Sequence, residues 1–196
     1  RFLKTWWSYF SLSECLFFFA TAFFASDTMA SIQVQNVVLQ QNPARYTDDF
    51  NFHIRFEAIE DITDDLNWKL VYVGSSESEK YDQILEDVVV GPIYRGPNEF
   101  VLNAPCPDHA KIPPGDILGV TVILLICEYQ EQEFIRVGYY VNNDYDDEEL
   151  RDNAPEKVQI ERVVRNVLTE QPRVTTHTID WHKGQRPVTQ ALGMEM

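Results

Sequence analysis

The sequence is short of the residues that carry chemistry. Its three cysteines, Cys15, Cys106 and Cys127, are too few for a disulfide framework, and a reducing compartment is the simpler setting. Its four histidines, His53, His109, His177 and His182, have no ligand spacing with a cysteine or with one another. The eight glycines form no phosphate-cradling loop and no nucleophile elbow. Catalysis therefore lacks a carrier, and no enzyme, metal or cofactor is expected. Basic residues are also scarce, 16 against 31 acidic ones, for a formal net charge of −15. An acidic surface repels nucleic-acid phosphates and suits a basic protein partner or plain solubility. No Asn-x-Ser/Thr acceptor occurs. No apolar run is long and unbroken enough to read as a membrane span.

What the chain does have is apolar and aromatic content, 44% and 13% over 196 residues, enough for one domain with a full core. The stretch Gly119–Asn143 organises it. Two β-branched strands, Val120–Cys127 and Phe134–Val141, flank a polar connection from Glu128 to Glu133. Side chains alternate faces along a strand. On the second strand Ile135, Val137, Tyr139 and Val141 form an apolar face, the expected core side. Phe134, Arg136, Gly138 and Tyr140 then look outward, because an unpaired Arg136 is costly to bury. The first strand has no such marker: Val120, Val122, Leu124 and Ile126 are as apolar as Thr121, Ile123, Leu125 and Cys127. Either both faces are internal, or one waits for a partner.

Further strands are expected at Ile32–Leu39, Phe50–Ala58, Leu66–Val73, Ile84–Val90 and Glu99–Ala104. In the second, Phe50, Phe52, Ile54, Phe56 and Ala58 share the buried side. Acidic connections run over Glu60–Asp65 and Glu77–Gln83, and Pro105–Gly115 is a loop with four prolines. Strands spaced this closely between turn signals predict an antiparallel sandwich rather than βαβ units. Asn142–Arg151 reads as a short capped helix. It is no calcium loop, because Glu149 stands where the turn needs glycine. Val158–Leu168 fits helical spacing loosely, but its β-branched content favours a strand. Arg173–Trp181 is a last strand.

The ends differ in character. Arg1–Thr28 is an aromatic and apolar segment with Ala20-Thr21-Ala22 as a small-x-small site. It reads either as a signal peptide or, as we prefer, as translated upstream sequence ahead of Met29. It holds 2 basic and 2 acidic residues, so Met29–Met196, with 14 against 29, keeps all of the −15. His182–Met196 reads as a tail, of which 183–196 is taken as short and flexible.

Several runs resemble the anti-silencing-function family of histone chaperones. They are Tyr72-Val73-Gly74-Ser75-Ser76-Glu77, Tyr81-Asp82-Gln83, Val90-Gly91-Pro92, Gly119-Val120-Thr121-Val122, Glu133 through Asn143, and Pro172-Arg173-Val174-Thr175. The similarity is collinear from Met29 to about Trp181, so the domain is set at 29–182, with 1–28 foreign to the family. The resemblance implies an immunoglobulin-like antiparallel β-sandwich with short helices in its loops. It implies a nuclear chaperone that binds one histone H3–H4 dimer and passes it to and from other chaperones in nucleosome assembly and disassembly. It assigns Val122, Leu124 and Tyr140 to the apolar centre of the histone H3 contact, with Asp82, Asp116 and Arg136 as charge around it. Arg173, Val174 and Thr175 match the segment that pairs with the histone H4 C-terminal strand. Asp64 and Asp65, with Phe56, Val88 and Val90, match the surface for partner chaperones of the replication-coupled and replication-independent routes. A monomer is expected, with no direct nucleic-acid or membrane contact. The competing reading is a secreted immunoglobulin-like adhesion domain that uses residues 1–28 as its signal. The short tail carries Lys183 and Arg186 where many relatives are acidic.

Overall fold

A computed structural model describes residues 31–182. The expectations for residues 1–28 and for the tail 183–196 lie outside it. The chain forms an all-β, immunoglobulin-like sandwich of two antiparallel sheets. Its strands are β1 (Ile32–Leu39), β2 (Ala44–Arg45), β3 (Phe50–Ala58), β4 (Leu66–Tyr72), β5 (Gln83–Val90), β6 (Gly96–Ala104), β7 (Gly119–Tyr129), β8 (Gln132–Tyr145), β9 (Val163–Val167) and β10 (Arg173–Thr176). The smaller sheet has the order β1-β3-β6. The larger runs β2-β9-β8-β7-β4-β5, with β10 also on β8. β8 is long enough to pair twice on one edge: Val141–Tyr145 with β9, and Ile135–Gly138 with β10.

The core follows from strand alternation. β3 buries Phe50, Phe52, Ile54, Phe56 and Ala58 and leaves Asn51, His53, Arg55 and Glu57 nearer solvent, as the pattern requires. Opposite them the larger sheet contributes Trp68 and Tyr72 from β4, Ile123 and Leu125 from β7, and Val137 and Tyr139 from β8. Each such side chain stabilises the fold by about 1.5–3 kcal/mol on burial. Cys127 is fully buried and its thiol is pushed well up by desolvation, so it packs as a small hydrophobe.

Several local expectations need correction. β8 runs on through Tyr145, so the helix is confined to α1 (Glu148–Asp152), capped by the Asp147 carboxylate on the N–H groups of Glu149 and Leu150. Of Val158–Leu168 only β9 is strand, preceded by a 3-10 turn over Ile160–Arg162. The final strand stops at Thr176, and the chain then crosses the β7–β8 end to seat Trp181 on Tyr129 and Phe134, ring centroids 5.3 and 4.9 Å away. Phe134 is therefore buried, not outward: the register shifts after Cys127, and Trp181 covers the ring. β2 was not foreseen; two residues leave no periodicity to read.

Candidate functional site: an apolar groove on the open face of the larger sheet

The exposed face of the larger sheet is set by cross-strand register. Val122 lies opposite Tyr140, Leu124 opposite Gly138 and Ile126 opposite Arg136. On the far side of β8, Gly138 and Arg136 face Arg173 and Thr175 of β10. These side chains enclose an open groove of about 130 Å³ lined by Val122, Leu124, Arg136, Gly138, Tyr140, Arg173 and Thr175, with Tyr139 beneath. Val122 and Leu124 are half-buried at its centre, Tyr140 is 44% exposed and Val120, at the end of the strand, is 71% exposed. The two-faced β7 is thus resolved: Ile123, Leu125 and Cys127 fill the core, and Val122 and Leu124 are open to solvent. Ile126 departs from that outward series. It is buried at 8%, with Lys69 and Arg136 as its cross-strand neighbours.

Charge surrounds this patch unevenly. Arg136 is fixed by a two-pronged pair with Glu133, at 2.9 and 2.6 Å, a hydrogen bond that favours the charged guanidinium. Lys69 pairs with Glu128 at 2.7 Å. Asp82 follows the 3-10 turn Glu79–Tyr81. Burial raises its carboxyl above the usual range, against a backbone hydrogen bond from Gly74. Gly74 follows Val73, whose N–H donates to Val122. Asp82 thus sits near the Val122 end of the groove without lining it. Asp116 ends the 3-10 turn Pro114–Asp116, and its neighbour Ile117 gives its carbonyl to the buried Asn143 amide at 3.2 Å. Arg173, Val174, Thr175 and Thr176 are all exposed, and β10 pairs only with β8, so its other backbone edge is open among the described residues.

The second expected surface is only partly assembled. Asp64 and Asp65 are exposed. Gln130 donates to Asp64 at 2.5 Å, and the Asp65 carboxylate packs on Gly91 so closely that a Cβ there would lie 1.7 Å from Oδ1. β5 is the last strand of its sheet. Phe56, however, is 1% exposed, with ring centroids of Trp68 and Phe100 at 6.0 and 6.4 Å. It presents nothing to a partner, because even parity along β3 points it inward. Val88 and Val90 are half-buried against the core, and the exposed valine of β5 is Val89. The apolar side chains that β5 leaves most open are Ile84 and Val89, each 63% exposed, beside its free backbone edge.

Sequence reasoning gave no role to Gly138, in the groove floor, or to Arg165. The Arg165 guanidinium is buried, lies 3.6 Å from the Phe50 ring and donates to the carbonyls of Tyr46, Asp48 and Asp49. Its only sequence signal was a lone cation in a β-branched run. Among the described residues no group of three or more His, Cys, Asp and Glu side chains could hold a metal ion. No helix among them is long and apolar enough to cross a membrane.

The pattern that defines the ASF1 like histone chaperone family matches residues 29–182. The chain belongs to the ASF1-like histone chaperone family. Its relatives in that family include Histone chaperone ASF1B of Arabidopsis thaliana, 56% identical over 79% of this chain and 71% of the relative. Histone chaperone asf1 of Drosophila melanogaster is 49% identical over 80% and 72%. Histone chaperone asf1b of Xenopus tropicalis is 52% identical over 78% and 76%. The family consists of chaperones and is not an enzyme class. Membership disfavours the adhesion-domain alternative.

Proposed function

We propose that this member of the family binds a histone H3–H4 dimer through the β7/β8 groove, and passes it to and from other chaperones in the nucleus. The observation that carries this reading is the half-exposed Val122–Leu124 pair beside Tyr140 on an acidic molecule. A folded domain gains nothing from leaving that patch wet, and a partner that covers it does. Asp82, Asp116 and Arg136 supply charge around it for a basic ligand. The open edge of β10, at Arg173–Thr175, accepts a strand from histone H4 by backbone pairing. No nucleotide is required, since transfer follows from competing affinities. Partner chaperones dock separately, on the Asp64–Asp65 loop and the open edge of β5, by strand addition and attraction to a basic motif.

The test is gel filtration of the protein with recombinant H3–H4. The wild type is expected to co-elute with the histones. Val122→Arg is expected to lose them and keep its melting temperature, because it drives an uncompensated charge into a dry contact, a cost on the order of 3–5 kcal/mol. Retained co-elution by that variant would count against the groove. Reversing Asp64 and Asp65 to Lys is expected to weaken capture of partner chaperones and spare the histones. Joint loss of both interactions would mean that the two surfaces are not separate.

A further inference from the structure

Gly138 sits in mid-β8 between Leu124 of β7 and Arg173 of β10. A glycine there weakens a strand by about 0.5–1 kcal/mol relative to alanine and packs nothing. Its backbone does not ask for glycine: among the described residues the glycines with left-handed φ are Gly96 and Gly119. Close approach does not ask for it either. A Cβ at Gly74 would lie 2.1 Å from the Tyr81 carbonyl oxygen, which forbids a side chain. A Cβ at Gly138 would meet Leu124 Cδ2 at 3.3 Å, the Arg173 carbonyl oxygen at 3.7 Å and Arg173 Cβ at 3.8 Å. The last two are ordinary contacts. The first is relieved by moving the end of a flexible leucine by a few tenths of an ångström.

We propose that Gly138 is a specificity-determining residue of the groove, kept bare so that an apolar side chain of the bound histone can seat over it between Leu124 and Arg173. The glycine serves the partner and not the fold. A side chain at 138 enters the groove that Val122, Leu124 and Tyr140 line, and shifts the end of Leu124 at the apolar centre by a few tenths of an ångström. This rests on the reading of the groove as the histone-binding face, and deepens it by naming the space that selects the ligand.

The test is a size series, Gly138→Ala and Gly138→Val, made in the full chain. Recombinant H3–H4 is titrated by fluorescence anisotropy, and each variant is melted. The alanine variant is expected to bind about tenfold more weakly, the scale of a modest overpacking penalty, with an unchanged or higher melting temperature. The valine variant is expected to bind more weakly still. Alanine binding as tightly as wild type overturns the inference. So does a parallel fall in binding and melting temperature, which would mean that the glycine serves the contact between β8 and β10. If the wild type itself does not bind, the groove reading fails and takes this inference with it. That outcome is distinguished by being common to all three proteins.

Discussion

At Asp82 one carboxylate oxygen is buried without a hydrogen-bond partner, and burial raises the group above the usual carboxylate range. Its folded-state value exceeds its unfolded one. Its charged form therefore costs stability at neutral pH, and the penalty disappears below the unfolded value, where both states are protonated. Asp82→Asn is expected to raise the melting temperature at pH 7 and to leave it unchanged near pH 3. Equal shifts at both pH values would show that the carboxylate is not the cause. The same variant should bind histones less well, the trade expected where a surface is held ready for a cationic partner. Phe56 and Arg165 mark the limits of reading residues singly. Alternation along β3 placed Phe56 inside, correctly, while the resemblance placed it on a docking surface. Arg165 is a charge that the pattern would send to solvent. It is buried because three carbonyls from residues 46–49 converge on it, a contact spanning more than a hundred residues of chain.

The β7–β8 hairpin was legible as an element because alternation and β-branching are local. Its tip was not. Gln130 and Glu131 both take left-handed φ, 49° and 62°, a conformation that side chains resist and that Asn-Gly adopts easily. Replacing the pair by Asn-Gly is expected to stabilise the domain by about 1 kcal/mol, about 2–4 °C in melting temperature for a domain of this size. No gain would mean that the Gln130–Asp64 hydrogen bond had offset the relief. The outward prediction for Phe134 failed at this same end of the hairpin, since register shifts and the lid formed by Trp181 leave no trace in a period-two pattern. β10 illustrates the converse: four exposed residues with no buried face, held by pairing with β8 alone.

Over the whole molecule, the proposed function divides the work of binding between a net charge of −15 and a small apolar groove. On that proposal, long-range attraction to a basic histone partner accelerates encounter and is screened by salt, whereas a desolvated apolar contact is much less affected. Raising salt from about 0.05 to 0.5 M should slow association by about an order of magnitude and change dissociation little, as read by stopped-flow fluorescence. A dissociation rate that rises as steeply as association falls would mean that charge, and not the groove, holds the complex.

Which side chains go inward along β3 and the inner face of β8, and that the fold is an acidic antiparallel sandwich, were determined by the sequence alone, because strand periodicity and composition are properties of neighbouring residues. The long block from Glu133 to Asn143 already carried the family. Tertiary structure decided whether the outward face of β7 stays open, which residues line the groove, and that Phe56 and Ile126 do not reach solvent. Those outcomes depend on what crosses above a strand, and a strand's own alternation is identical whether its second face is covered or bare.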